Sequence, residues 1–354
     1  ESPVLREVRG GLGLLRLNRP RAINALTHDM VRLLAAALDA WRDDPEIRTV
    51  AIVGEGERGL CAGGDIVALY RDATAGDGTA SARFWADEYR LNAQIAGYPK
   101  PIVALQDGLV LGGGIGVSGH ASHRVVTERS RLGFPEVGIG FVPDVGATWL
   151  LTRSPGELGT RIALTGEHLG AADAILVGLA DRFVPAERLP ELLTALETGT
   201  ADAALAAVAE EPPPGHLAGQ RAWTDAAFAA DSVPEILAAL RASPEPAAAA
   251  SAAAIEAHSP TALAITRNAL RAARALDTLE AALRIEYRIS TTQLSHPDFA
   301  EGVRAQVIDK DRRPAWHPAQ HPDPADAAIR PPQHPGAHGD LDVEAPPTMA
   351  RETP

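Results

Sequence analysis

An α/β protein is predicted for this 354-residue chain from three features. Strand, loop and helix patterns alternate from Val4 to about Pro185. An apolar stripe at helical spacing follows the first pair of strands, and glycine-rich turns follow two later strands. Val4 to Leu17 reads as two short strands around the turn Arg9-Gly10-Gly11. Thr27 is placed to cap a helix from His28 to Trp41, where Met30, Leu33, Leu34, Ala37, Leu38 and Trp41 share one face. Thr49 to Val53 reads as a short buried strand, Phe84 to Ile95 as a helix, and Pro101 to Leu105 as a strand opened by proline. Gly108 to Gly119 then turns into a helix at the triple glycine.

Beyond that core, 1–185, the composition shifts. Residues 186–318 form a helical region: Ala, Glu and Pro dominate from Ala186 to Ala257, predicting short surface helices with proline-containing breaks. Helices follow from Thr261 to Ala275 and from Leu279 to Leu294. Residues 319–354, rich in Pro, His, Ala and Asp, read as an extended or disordered tail.

Composition excludes several classes of function. The formal charge is 33 − 46 = −13, whereas a general nucleic-acid binder needs a basic face. No apolar run reaches the roughly 18 residues that span a bilayer, and no basic-then-apolar leader opens the sequence. The lone Cys61 precludes an internal disulfide framework and fits a reducing compartment, so a cytoplasmic location is expected. Glu1 in place of Met leaves a removed leader open.

Three segments carry candidate chemistry. Cys61-Ala62-Gly63-Gly64-Asp65-Ile66 follows a strand, and glycines at a helix start free backbone N–H groups that favour negative charge. A tight turn capped by Asp65 is the plainer reading. Leu111-Gly112-Gly113-Gly114-Ile115-Gly116 is harder to explain by stability, because three glycines cost backbone entropy. With Gly64 it offers a second set of donors to an oxyanion. Gly114-x-Gly116-x-x-Gly119 matches a dinucleotide fingerprint only formally, within a glycine-rich run, and His120 spoils a nucleophile elbow at Ser118.

The third segment, Phe134 to Gly146, holds Glu136 and Asp144 in a loop otherwise made of apolar residues, glycine and proline. Poor solvation raises a carboxyl pKa and makes it a usable base or nucleophile near neutrality. Asp144 also has a structural reading, as the cap of a helix from Val145 to Leu151. Cys61 reads as a small buried residue, and His120 and His123 as surface or loop residues too few for a metal site.

In this order the three segments resemble the crotonase (enoyl-CoA hydratase/isomerase) superfamily, together with Asn18-Arg19-Pro20 through Asn24-Ala25-Leu26, which in the family borders the CoA adenine site. The resemblance implies a spiral of ββα units with a C-terminal helical region, an acyl-CoA substrate held by the N–H groups of Gly64 and Gly113, and possible oligomers. Typical hydratases carry a glutamate two residues after the triple glycine; here that position is Gly116. Phe84 to Asn92, Pro135-Glu136, Pro143 to Gly146, Ser259 to Leu263, Glu286-Tyr287-Arg288 and Asp298 to Ala305 resemble the 3-hydroxyisobutyryl-CoA hydrolase branch. That branch implies Glu136 as nucleophile or general base, Asp144 as its acid/base partner or as a contact to the substrate's hydroxyl, and Glu88 lining the acyl pocket and binding that hydroxyl. Read from its residues alone, Glu88 is equally a solvated helix residue pairing with a cation.

The expected reaction is hydrolysis of a short 3-hydroxyacyl-CoA thioester, as in valine breakdown, with no metal or redox cofactor. Two alternatives stand beside it: a hydratase or isomerase on the same fold, and a catalytically silent CoA-binding or scaffold protein.

Overall fold

The computed structural model describes residues 2–318, 333–334 and 336–344. Strands β1 (Val4–Arg9) and β2 (Leu12–Leu17) form an antiparallel hairpin. Helix α1 (His28–Arg42) follows, with the Thr27 hydroxyl accepting from the Met30 N–H at 3.2 Å. Next come β3 (Thr49–Gly54), α2 (Ile66–Ala75), α3 (Thr79–Ala96) and β4 (Ile102–Gln106). Helix α3 is more than a turn longer at its start than the apolar pattern suggested, because Thr79 to Arg83 is mostly small and polar. The chain continues through β5 (Leu109–Leu111), α4 (Gly113–Gly116), β6 (His123–Val126), β7 (Arg131–Gly133), α5 (Ala147–Leu151), α6 (Leu158–Thr165), α7 (Ala171–Leu176) and β8 (Arg182–Phe183).

The main sheet runs β1-β2-β3-β4-β6-β8 and is parallel except at the hairpin, while β5 and β7 form a separate parallel pair. The α/β spiral expected from sequence is the fold observed. Alternate side chains divide the core as strand geometry requires. Leu15, Leu17, Val50, Ile52 and Ala104 face α1 and α3; Leu12, Leu14, Ala51, Val53 and Val103 face the other way.

That second face corrects one expectation. Helices α8 (Leu189–Leu196) and α9 (Ala201–Val208) are not loose surface helices, because Leu192, Leu196 and Leu205 close the sheet. Helices α10 (Leu217–Phe228), α11 (Val233–Ala242) and α12 (Pro246–Glu256) bury Phe228, Ile236, Leu240 and Ile255 around Val137 and Leu164. Large apolar residues are few in this stretch, but these point inward. They support Val137, the residue after Glu136.

Helices α13 (Pro260–Ala273), α14 (Leu279–Gln293) and α15 (Pro297–Val303) complete the C-terminal region. Within the tail, Leu341 and Val343 are buried in the main core, and Arg90 Nε donates to the Asp342 carbonyl at 3.0 Å. Those residues are anchored, a contribution hidden by the polar composition around them. Residues 319–332, 335 and 345–354 of the extended or disordered tail predicted over 319–354 lie outside the described residues.

Candidate active site

Two loops bring Gly64 and Gly113 side by side. The first is tied to the start of α1, where Leu26 donates to the Gly63 carbonyl and Asp65 donates back to Leu26, both at 2.8 Å. The second turns sharply at Gly112, whose φ of +45° leads into α4. A Cβ on Gly113 would stand 3.2 Å from the Gly64 nitrogen and 2.7 Å from Glu88 Oε1. Among the described residues neither the Gly64 nor the Gly113 N–H donates a hydrogen bond to the protein. Two free, convergent donors of this kind suit a developing oxyanion. Asp65 does not cap α2 through its side chain; it pairs with Arg19 at 3.2 Å.

Glu136 opens a short 3-10 turn, Glu136–Ile139, beneath the glycines. A Cβ on Gly112 would meet its Oε1 at 2.4 Å, so the missing side chain at 112 is what admits the carboxyl. Its Oε2 has no partner among the described residues. Burial first, then the neighbouring Asp144, holds this carboxyl well above the usual range. The end of the turn is held between α3 and α15: Trp85 stacks on Phe141 at 5.4 Å, and Phe141 packs against Phe299.

Asp144 is 6% exposed, and burial pushes its carboxyl up to about 7 despite a hydrogen bond from the Tyr89 hydroxyl at 2.6 Å. Ser290 completes that chain at 2.8 Å from the Tyr89 oxygen. Glu88, one residue before Tyr89 on α3, is 2% exposed, and its Oε1 has no partner, cationic or otherwise, among the described residues. Burial, then Asp144 and Glu136, raises its carboxyl well above the ordinary value. Three carboxyls therefore share one dry pocket lined by two free N–H groups, a setting in which they cannot all ionise together.

The cap expected from Asp144 comes from elsewhere. Its side chain makes no cap to α5; Glu286 on α14 does. Glu286 accepts from the N–H groups of Gly146 at 2.6 Å and Thr148 at 2.8 Å, and from the Thr148 hydroxyl at 2.6 Å. Burial lifts its carboxyl to about 8, countered by these donors. On the other side, His120 Nε2 lies 2.8 Å from the Val145 carbonyl, and burial lowers that imidazole to about 4. His120 is thus a half-buried turn residue whose neutral imidazole donates to the backbone. Together Glu286 and His120 hold Val145 at φ +57°, a strained conformation for a β-branched residue that sets the direction of Asp144. Glu286→Ala would strand three donors and should cost about 3 kcal/mol in urea unfolding, with thiol release falling as Asp144 loses its support. Glu286→Gln, which keeps one acceptor, should cost less.

Tyr89, Ser290 and Glu286 are members of the site that the sequence reading does not pick out as such. The i, i+4 spacing of Glu286 and Ser290 on an apolar helix is their available signal. Gly116 adds a steric fact to the missing glutamate. A Cβ there would lie 2.8 Å from Val145 Cβ and 3.0 Å from Asn92 Nδ2. Gly116→Glu should therefore fail to create hydratase activity on crotonyl-CoA and should lower the melting temperature, since overpacking typically costs about 1–3 kcal/mol.

The spiral fold and its paired glycine loops define a crotonase-type α/β protein. The chain belongs to the enoyl-CoA hydratase/isomerase family, whose model matches residues 12–331. It is 40% identical over 335 residues to the mitochondrial 3-hydroxyisobutyryl-CoA hydrolase of Rattus norvegicus, covering 91% of this chain and 86% of that protein. Two solved structures superpose with TM-scores of 0.89. One, described as a carnitinyl-CoA dehydratase from Mycobacterium thermoresistibile, is 50% identical, covering 93% of this chain and 95% of that one. The other, described as an enoyl-CoA hydratase from Rhodobacter sphaeroides 2.4.1, is 42% identical, covering 97% and 100%. The cytoplasmic expectation does not survive: the rat relative is a mitochondrial enzyme by name, as is that of Gallus gallus. A single reduced cysteine does not distinguish the two compartments. Among the described residues no helix is long and apolar enough to cross a membrane.

Proposed function

We propose that the chain hydrolyses a short 3-hydroxyacyl-CoA thioester, of the 3-hydroxyisobutyryl-CoA kind, to the free hydroxy acid and CoA. One observation carries the reading most: Glu136, whose buried Oε2 has no partner among the described residues, lies against Gly112, next in the chain to the free Gly113 N–H that neighbours Gly64, with glycine and no room for a carboxylate at 116. The relatives named as 3-hydroxyisobutyryl-CoA hydrolases support the same substrate.

In this reading Gly64 and Gly113 stabilise the oxygen that becomes negative as the thioester carbonyl is attacked. Glu136 either attacks the carbonyl carbon, displacing the CoA thiolate and leaving an anhydride that water opens, or takes a proton from the attacking water. Asp144, poised near neutrality, protonates the departing sulfur. Glu88 lines the acyl pocket. A cavity of about 170 Å³ between Leu26, Leu69 and Phe84 adjoins Gly64 and suits the arm that carries the thioester. The reading needs no metal or redox cofactor, CoA being part of the substrate.

A second reading, hydration or dehydration of an enoyl thioester, is favoured by the descriptions of the two similar structures. It requires Asp144 to replace the glutamate absent at 116. Thiol release from 3-hydroxyisobutyryl-CoA, followed alongside loss of enoyl absorbance with crotonyl-CoA, separates them. Hydration without thiol release would sink the hydrolase reading.

A further inference from the structure

Asp144 is the carboxyl that must lose and regain a proton in the reaction above, and its surroundings make the loss costly. Glu88 on α3, Glu136 on the 3-10 turn and Glu286 on α14 all face it with like charge. No cation pairs with it among the described residues. Once ionised, Asp144 is an anion among carboxyls in a dry pocket, where an unanswered charge is expensive. Among the described side chains one group answers it: the Tyr89 hydroxyl, which donates to Oδ2 at 2.6 Å.

That phenol is built as a fixed donor. Tyr89 is fully buried on α3, and its ring meets Tyr287 edge-on at 6.3 Å. Burial, then Asp144, raises its hydroxyl well above the usual range, so it keeps its proton. A phenol has one proton to give and can also accept. Ser290 Oγ lies 2.8 Å from the Tyr89 oxygen, and its proton directed there commits the phenol's own proton to Asp144. Helix α14 thus acts on Asp144 from two sides, Glu286 through the start of α5 and Ser290 through Tyr89.

We propose that Tyr89, backed by Ser290, is the positioning residue of Asp144: it pins Oδ2 and stabilises the carboxylate left behind, so that Oδ1 carries the proton delivered to the substrate. As the C–S bond breaks, that proton passes to the CoA sulfur. The water that completes hydrolysis adds its hydroxyl to the acyl carbon and returns its other proton to Asp144. Tyr89 itself touches no reacting atom.

Tyr89→Phe deletes the donor and keeps the ring. The test is a 13C-carboxyl NMR titration of the enzyme without substrate, the Asp144 signal being assigned by its absence in Asp144→Asn. In Tyr89→Phe the midpoint should rise from about 7 by roughly one pH unit or more, the worth of a hydrogen bond to a charged group. Ser290→Ala should move it the same way by less. The alkaline limb of kcat for thiol release should rise with the midpoint, because the acid stays protonated to higher pH. A purely structural role would lower kcat at every pH and leave both in place. If Tyr89→Phe does not fold, as judged by circular dichroism, Ser290→Ala decides by the same midpoint. A midpoint that stays put or falls in the folded variant overturns the assignment. The inference rests on Asp144 serving the hydrolysis; a midpoint that rises in a protein releasing no thiol would support the Tyr89 assignment and count against hydrolysis alone.

Discussion

Glu136→Gln is expected to lower thiol release from 3-hydroxyisobutyryl-CoA by roughly 10³- to 10⁴-fold, the upper range for loss of a catalytic acid or base. The substitution preserves the volume of a buried side chain and removes only the charge and basicity. Burial and Asp144 already favour the neutral form of this carboxyl, so the glutamine stands in for a state the protein readily adopts. Its fold and its affinity for the acyl-CoA should therefore survive, and the loss should appear in kcat with KM little changed. That split separates removal of a reacting group from collapse of the pocket. Activity within tenfold of wild type would remove Glu136 from the mechanism and shift the search to Asp144 and Glu88.

Much of this arrangement is legible in the sequence, for identifiable reasons. The helix from His28 announces itself through its Thr27 cap and its apolar stripe. The triple glycine, entropically costly, points to close approach, and Gly112 and Gly113 prove to face Glu136 and Glu88. Other features depend on contacts between residues far apart in the chain. Nothing local reveals that Glu286 caps α5 through Thr148, 138 residues away, or that the Tyr89 hydroxyl joins Asp144 to Ser290. Asp144 sits in a cap-like pattern, yet its side chain turns to Tyr89 because the strained Val145 redirects the loop. The alanine-rich helices and the tail mislead because most of their residues are small or polar. Leu205, Phe228 and Leu341 are each buried, and each anchors a stretch whose neighbours give little sign of it.

Asp144→Asn should make the protein more stable at pH 8 while impairing it as a catalyst by roughly 10²-fold or more. The folded carboxyl titrates at about 7 against 3.8 when free, so between pH 4 and 7 the folded state binds the proton and the unfolded state does not. Stability therefore falls as pH rises through this window, at about 1.4 kcal/mol per pH unit at most, and the contribution is fully present only below pH 4. Asparagine cannot ionise and can still accept from Tyr89 through its carbonyl, so the variant lacks that slope. Urea unfolding should show the two proteins nearly equal at pH 4 and the variant ahead by on the order of 3 kcal/mol at pH 8. A residual decline should persist in the variant between about pH 4.5 and 8, where the folded Glu286 keeps a proton that the unfolded chain has lost. Parallel stability curves for the two proteins would mean that Asp144 is already ionised in the fold below neutrality. It would then be unable to protonate a leaving thiolate. The same raised pKa that weakens the fold at pH 8 is what lets Asp144 act as an acid at pH 7, which ties instability to catalysis at one residue.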